Sequence, residues 1–174
     1  MKKLLILLGL VGLSSCMSFS DRAMRPVRDS IARQLPEIRL EKEFAVSLGS
    51  GMLNFIDLAT LNQADVSSLD HVQVAVYKVF GHGAAVDFNR LNFEATLMAK
   101  DRRLTWETIV KVREPDEQVW VLVGMNLKRE TLEAVAVFSL GRDELVLINV
   151  DGDINEMLDF AMKPAERRHG AIRS

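Results

Sequence analysis

Three histidines are the residues best suited to bind a metal or to move protons near neutral pH. His71, His82 and His169 lie far apart along the chain, and no two of them have the i, i+4 or short-loop spacing of zinc sites. Asp151 and Asp153 flank a glycine as in a calcium loop, but the further oxygen ligands and the terminal glutamate of such a loop are missing. A turn followed by a helix cap explains both aspartates, so the sequence predicts no metal site and no cofactor.

The serines and glutamates of the chain also lack the patterns of known catalytic sites. Ser47, Ser50 and Ser139 lack the Gly-x-Ser-x-Gly pattern of a nucleophile elbow, and the glycines around Ser50 lack the lysine and the spacing of a P-loop. Glu41 and Glu43 lie two residues apart, which places both on one face of a strand. That face is polar, where solvated carboxylates are commoner than a catalytic pair. We therefore predict no catalytic residue and a protein that is not an enzyme.

The only cysteine, Cys16, follows a segment typical of a bacterial secretion signal. Lys2 and Lys3 form its positive region, and residues 4–13 form an uncharged apolar run that is too short to span a membrane, which needs about 20 helical residues. Leu13-Ser14-Ser15-Cys16 resembles the lipobox of bacterial lipoproteins. That resemblance implies cleavage before Cys16 and lipid attachment to its thiol, which would anchor the protein to a membrane. The alternative is an ordinary secretory signal followed by an incidental cysteine.

The charge and the residue after the cysteine bear on partners and location. The formal net charge of -2 becomes -4 when Lys2 and Lys3 are lost with the signal. Because nucleic-acid-binding domains carry a basic stripe or patch, the sequence predicts no nucleic-acid partner. Met17 stands where an aspartate commonly retains lipoproteins in the inner membrane. Resemblance to that sorting rule implies the outer membrane, facing the periplasm, unless the host has a single membrane.

The pattern along the chain predicts four regions. They are a signal peptide (1–15), a lipidated tether with a short helix (16–36), a single α+β domain (37–163) and a flexible tail (164–174). Within the tether, Pro26 suits a first helical position, and Val27, Ile31 and Leu35 form one apolar stripe. Arginines outnumber aspartates in this region, so it is predicted either to contact anionic headgroups or to be a solvated spacer.

Alternation and helical periodicity predict the elements of the domain. Strands are expected at 39–48, 71–79, 106–113, 118–125, 132–140 and 144–150, and helices at 50–61, at about 86–100 and from Asp153 to Pro164. The first strand, helix and strand suggest parallel strands joined by a right-handed crossover, and the last four strands suggest an antiparallel meander. We therefore predict an α+β two-layer sandwich, in the order β-α-β-α-β-β-β-β-α. Its mixed sheet would have about six strands, with helices packed on one face.

Two stretches carry a resemblance to a known family. Residues 106–112 (Trp-Glu-Thr-Ile-Val-Lys-Val) and the last hairpin with its helix, residues 145–158, resemble the small bacterial lipoproteins grouped as domain-of-unknown-function 4252. The resemblance covers roughly residues 37–162. It implies an α+β sandwich and a membrane lipoprotein, and it supplies no activity and no site residues.

The sheet face that the helices leave open is the candidate binding surface. We expect it to carry the following residues: Tyr77, Trp120, Lys111, Glu107, Gln73 and Glu41. Aromatic residues on a polar sheet face suit a binding surface, and they also pack well on any half-exposed sheet. A contiguous apolar patch on this face would favour partner binding, whereas a cleft with convergent acids or a Ser/His pair would favour a hydrolase.

These patterns together predict a non-catalytic periplasmic lipoprotein. It would bind a partner protein or ligand, in envelope sensing or assembly, while its lipid anchor holds it to the membrane. A structural envelope component is the first alternative, and a hydrolase with an unrecognised site is the second.

Overall fold

The computed structural model describes residues 17–22, 24–59, 66, 68–81, 90–114 and 117–155. Within them the chain forms seven strands and three helices. The strands are β1 Met17–Ser18, β2 Arg39–Gly49, β3 Leu69–Phe80, β4 Thr105–Arg113, β5 Glu117–Asn126, β6 Thr131–Gly141 and β7 Glu144–Gly152. The helices are α1 Arg25–Gln34, α2 Ser50–Ala59 and α3 Phe93–Lys100. None of the helices in these ranges is long and apolar enough to cross a membrane.

All seven strands belong to one sheet, in the order β1-β2-β3-β7-β6-β5-β4, and every neighbouring pair is antiparallel. The meander predicted for the last four strands is therefore confirmed. The prediction of a mixed sheet with β2 parallel to β3 is wrong. An antiparallel sheet with three helices packed against it is an α+β arrangement, and six of its strands have nine residues or more.

The antiparallel pairing of β2 and β3 follows from where the chain returns to the sheet. Gly49, at the end of β2, pairs with His71, near the start of β3. The segment between the two strands therefore leaves β2 and enters β3 at the same end of this strand pair. A parallel pair would need this segment to run back along the whole length of β2. The strand and helix patterns in the sequence do not distinguish these two paths.

Helices α1 and α3 pack on one face of the sheet, which we call the helix-covered face, and form the main core with it. Val27, Ile31 and Leu35, the apolar stripe expected in a tether, are at most 1% exposed. Helix α1 thus belongs to the packed domain. Phe93 of α3 stacks on Phe138 with ring centroids 4.2 Å apart and meets Trp120 edge-on at 4.9 Å.

Helix α3 begins later than the helix predicted from about residue 86. Asn92 caps its first turn, because its side-chain oxygen accepts a hydrogen bond from the Ala95 amide at 2.9 Å. The helix buries Phe93 and Leu97, whereas Met98 is 43% exposed. Residues 82–89 lie outside the described ranges.

Helix α2 lies on the other side of the sheet, so the prediction that the helices share one face is wrong. Leu53 of α2 packs with Leu69 and Ile154 in a second, smaller cluster, together with half-buried residues such as Val72 and Val150. Of the helix predicted from Asp153 to Pro164 the structure describes only residues 153–155, and the predicted tail lies outside the described ranges.

Candidate functional site

The sheet face opposite α1 and α3 carries aliphatic side chains in three parallel rows, which together we call the valine face. The registers of β2, β3, β7, β6, β5 and β4 fix these rows. They are Leu48, Val72, Val150, Val135, Val123, Glu107; then Val46, Val74, Ile148, Val137, Val121, Val110; then Phe44, Val76, Val146, Ser139, Val119, Val112. Of these eighteen positions only Glu107 and Ser139 are polar, so sixteen are apolar.

The apolar side chains of the valine face remain accessible to solvent. None of the sixteen is buried, and thirteen of them are half-buried. The other three are exposed: Phe44 to 47%, Val110 to 42% and Val112 to 43%. On the helix-covered face, by contrast, Ala75, Leu122 and Leu147 of the same strands are completely buried. Within the described residues, one side of this sheet is therefore packed, and on the other side the apolar side chains are only partly buried.

The dimensions of the valine face follow from sheet geometry. Six strands about 4.8 Å apart give a width of about 24 Å, and three rows two residues apart give a length of about 13 Å between Cα positions. With its side chains the face covers roughly 500 Å². Contiguous apolar patches of this size on a protein surface mark interaction sites far more often than single exposed residues do.

One end of the valine face is covered by apolar side chains, and the other end is bordered by charged side chains. Leu53 and Ile154 pack against the row that contains Leu48. Beyond the row of Phe44, the strand registers place a row of charged side chains: Glu41, Lys78, Glu144 and Glu117. Lys78 also pairs with Glu43, with 3.3 Å between the ammonium nitrogen and the carboxylate oxygen. Four glutamates outnumber the two basic side chains that pair with them, Lys78 with Glu43 and Arg39 with Glu41, so this rim is acidic.

Tyr77 and Trp120, which were expected on the open face, lie in the core instead. Tyr77 is 0% exposed and Trp120 is 3% exposed, both on the helix-covered face. Gln73 is also nearly buried on that side, whereas Lys111 extends over the Trp120 ring at 5.9 Å from its centroid. Glu107 is the one residue of that expectation that belongs to the eighteen positions of the valine face. The aromatic binding surface predicted from the sequence is thus replaced by an aliphatic one.

A cleft of about 690 Å³ opens at one end of the helix-covered face. Its charged lining has more acidic than basic side chains: Asp70, Asp101, Glu133, Asp151 and Asp153 face Lys100, Arg103 and Arg129, with His71 and Ser68 beside them. Ion pairs join Arg103 to Asp101 at 2.8 Å and Arg129 to Glu133 at 3.5 Å. Much of this charge is therefore neutralised within the cleft.

The groups in this cleft are not arranged for hydrolysis. A hydrogen bond from Arg103 lowers the pKa of Asp101, which is the opposite of what a general acid needs. Burial lowers the pKa of Lys100, and the carboxylates of Asp151 and Asp101 oppose that shift. Within the described ranges Ser68 Oγ is buried without a hydrogen-bond partner, so His71 does not activate it. No cluster of His, Cys, Asp or Glu among these residues is suited to hold a metal.

The remaining candidate residues are dispersed over the fold. Ser50 begins α2, and the side chain of Ser139 bonds to the Glu117 carboxylate. Glu41 and Glu43 form separate ion pairs, with Arg39 and Lys78. Cys16, His82 and His169 lie outside the described residues.

Sequence reasoning missed the valine face although the signal was present. Valine at alternate positions recurs in β3, β5, β6 and β7. Apolar side chains that alternate along one strand face usually mark the core, so the alternation alone does not reveal an accessible face. The residues between the valines are mostly apolar as well. These residues, such as Ala75 and Leu147, form the core with α1 and α3.

Comparison with known proteins gives one match. A family model described as "Domain of unknown function (DUF4252)" matches residues 40–157, which include β3 to β7 and all of β2 except Arg39. No curated protein and no solved structure matches the chain.

Proposed function

The chain belongs to the DUF4252 family of domains of unknown function, and for this member we propose a non-catalytic, membrane-anchored role in binding a partner protein. The valine face is the site we assign to the partner. In this proposal the protein is a lipoprotein of the cell envelope, held through Cys16 at the outer membrane and facing the periplasm. Its task would be envelope sensing or assembly.

The single observation that supports partner binding is the solvent-accessible apolar area of the valine face. At about 25 cal/mol per Å², covering the whole face of roughly 500 Å² would contribute at most on the order of 12 kcal/mol before the costs of association, because Leu53 and Ile154 already cover part of it. Those costs are estimated at about 4–15 kcal/mol, so burial of the face can offset much of them. A protein surface of matching shape is the ligand that covers such a broad, nearly flat area.

Charge favours a different protein over a second copy of this chain as the occupant. The rim beside Phe44 carries four glutamates, of which Glu43 is paired with Lys78 and Glu41 with Arg39. If two copies packed face to face with their strands in the same direction, both acidic rims would meet, and like charges at an interface oppose association. With the strands reversed, each rim would meet the end that Leu53 and Ile154 already cover. We therefore propose a partner whose apolar surface is bordered by basic side chains.

The anchor in this proposal is supported by the signal pattern and the lipobox at residues 13–16. We expect Cys16→Ala to abolish incorporation of labelled palmitate and to leave the precursor uncut, because no other cysteine is available for acylation. A Ser14→Ala variant, which keeps a small residue before Cys16, serves as the control and should be labelled normally. Palmitate incorporation into the Cys16→Ala protein would show that the anchor is assigned incorrectly.

Partner binding is tested with Val137→Lys, a change at the middle of the valine face. A lysine there must be desolvated when the face is covered, so we expect the affinity for the partner to fall at least about tenfold. The partner is first identified by crosslinking from the membrane-bound protein, and affinity is then measured with both proteins purified. The matched control is Lys128→Glu, an exposed position in the β5–β6 turn, which should bind like the wild type.

The variants also separate the alternatives. Since Val137 is half-buried, the melting temperature of Val137→Lys should fall only slightly, and Val137→Thr provides a milder polar change if lysine disturbs the fold. Equal binding by wild type, Val137→Lys and Val137→Thr would contradict the proposed site. A wild-type dimer that dissociates in Val137→Lys, seen by sedimentation, would replace the partner by a second copy of the chain.

A further inference from the structure

The segment that follows Cys16 is fixed to the domain from its first described residues. Strand β1 pairs with β2, with Met17 opposite Leu48 and Ser18 opposite Ser47. Three residues later the chain is held again, because the Asp21 carbonyl oxygen accepts backbone hydrogen bonds from Met24 and Arg25, both at 2.8 Å. Within the described residues there is thus no free tether between residue 17 and the sheet.

The side chain of Asp21 strengthens this attachment. It is 5% exposed and accepts hydrogen bonds from Arg25 at 3.2 Å and from Arg28 at 3.4 Å. Burial alone would raise the pKa of Asp21, but the hydrogen bond and the charges of these two arginines lower it. The ionised carboxylate therefore ties residues 17–22 to α1.

A groove of about 550 Å³ lies beside this segment and is lined by Ser18, Ser20, Arg22 and Ser47. The first three are spaced two residues apart, and the pairing of Ser18 with Ser47 adds the fourth side chain from β2. Ser20 Oγ accepts a hydrogen bond from the Arg22 amide at 3.2 Å, which leaves its hydroxyl hydrogen available to donate. The groove thus offers three hydroxyl donors and one guanidinium group.

Arg22 differs from its neighbours in having no carboxylate partner among the described residues. Arg25 is paired with Asp21, and Arg28 is paired with Asp21 and Asp29. An exposed guanidinium beside several hydroxyl groups suits a phosphate, since arginine presents two parallel N–H donors and serine can add further hydrogen bonds.

We propose that this groove binds the phosphate of a phospholipid headgroup in the membrane that holds Cys16, an inference that takes its location from the proposed anchor. Ser18 is two residues from Cys16, so the two Cα atoms are at most about 7 Å apart. An acylated Cys16 would therefore place the groove at the headgroup layer. Phe19, which is 66% exposed, lies between groove residues, and an apolar side chain there could insert at the boundary between headgroups and acyl chains. The membrane would then orient the domain as well as retain it.

The test uses the mature chain, residues 16–174, with Cys16→Ser, which includes every described residue and carries no acyl group. Its binding to vesicles of phosphatidylcholine is compared with its binding to vesicles that also contain anionic phosphatidylglycerol. We expect preferential binding to the anionic vesicles and a loss of about fivefold in Arg22→Gln, the size expected for one arginine at such a surface. Ser47→Ala, which leaves the charge unchanged, should weaken binding about two- to fivefold.

The matched control is Arg33→Gln, which removes the same charge from the last turn of α1 and should leave vesicle binding nearly unchanged. Equal losses in Arg22→Gln and Arg33→Gln would show that net charge acts without the groove, and would overturn the proposal. Binding of inorganic phosphate to the wild type, measured by calorimetry, with loss of vesicle binding on phosphate addition, would identify free phosphate as the ligand and overturn it too. Because the protein has no acyl chain, neither result depends on whether Cys16 is lipidated.

Discussion

Tyr77 lies on the helix-covered face, where its ring is completely buried. Its hydroxyl donates to Asp21 Oδ2 over 3.5 Å, and Arg28 lies 5.9 Å from the ring centroid. Burial raises the pKa of Tyr77 to about 12, and the negative charge of Asp21 adds to that rise. The phenol is therefore neutral across the physiological range and serves as a hydrogen-bond donor to a buried carboxylate.

This burial predicts a loss of stability in alkaline solution. The unfolded chain releases the Tyr77 proton near pH 10 and the folded protein near pH 12. The contribution of Tyr77 to the free energy of unfolding should thus be fully present below pH 10. It should be lost as the pH rises toward 12, which lowers the free energy of unfolding by about 3 kcal/mol. Tyr77 is the only tyrosine of the chain, so Tyr77→Phe should show a clearly shallower decline in urea unfolding over this range. Identical declines in both proteins would show that the phenol is not the group responsible.

At the scale of residues, the sequence shows which chemical groups are present and how they are spaced, but it does not show which of them are buried. The spacing of the serines, histidines and carboxylates predicts no catalytic pattern, because catalysis needs particular side chains together. The burial of Tyr77 could not be predicted in this way, since a tyrosine suits a half-exposed strand as well as a core. Tyr77 is buried because the apolar stripe of α1 covers its side of the sheet. Ile31 in this helix and Leu35 directly after it are both completely buried in the same core cluster. That helix had been assigned to a tether.

The elements themselves were largely predictable, and their arrangement was only partly so. Strict alternation located β2 to β7 within a few residues, and short turns between the last four strands made an antiparallel meander the natural path. The direction of β3 relative to β2 depends on the route of the residues between them, which periodicity does not record. The same limit applies to α2, whose apolar positions fit either face of the sheet.

At the scale of elements, the pattern also fails to predict which face of the sheet α1 and α3 cover. In β3 the valines at 72, 74 and 76 alternate with Gln73, Ala75 and Tyr77. Alternation separates these two sets with certainty, because successive side chains point to opposite sides of a strand. Both sets contain apolar residues, however, so the pattern cannot tell which of them the helices cover. In this protein they cover the set with Ala75 and Tyr77, and the valines form the accessible face.

The whole molecule has two distinct surfaces in a fixed relation. Strand β1 follows the proposed lipidation site and lies at one edge of the sheet, while the valine face extends across the other strands from β2 to β4. An anchor attached directly before β1 would hold this face at a constant distance from the membrane. Such an arrangement suits the proposed capture of a partner that lies in the membrane plane or projects from it.

The most direct test of the central claim measures whether the valine face is covered in the envelope. In the proposed mature protein Cys16 is acylated, so Val137→Cys introduces the only free thiol, and Lys128→Cys provides an exposed control. Reaction with a maleimide is followed in intact envelopes and with the purified protein. We predict that Val137→Cys is protected in envelopes and reactive after purification, while Lys128→Cys reacts in both. Equal reaction of Val137→Cys in both settings, or its protection in the purified monomer as well, would contradict the account.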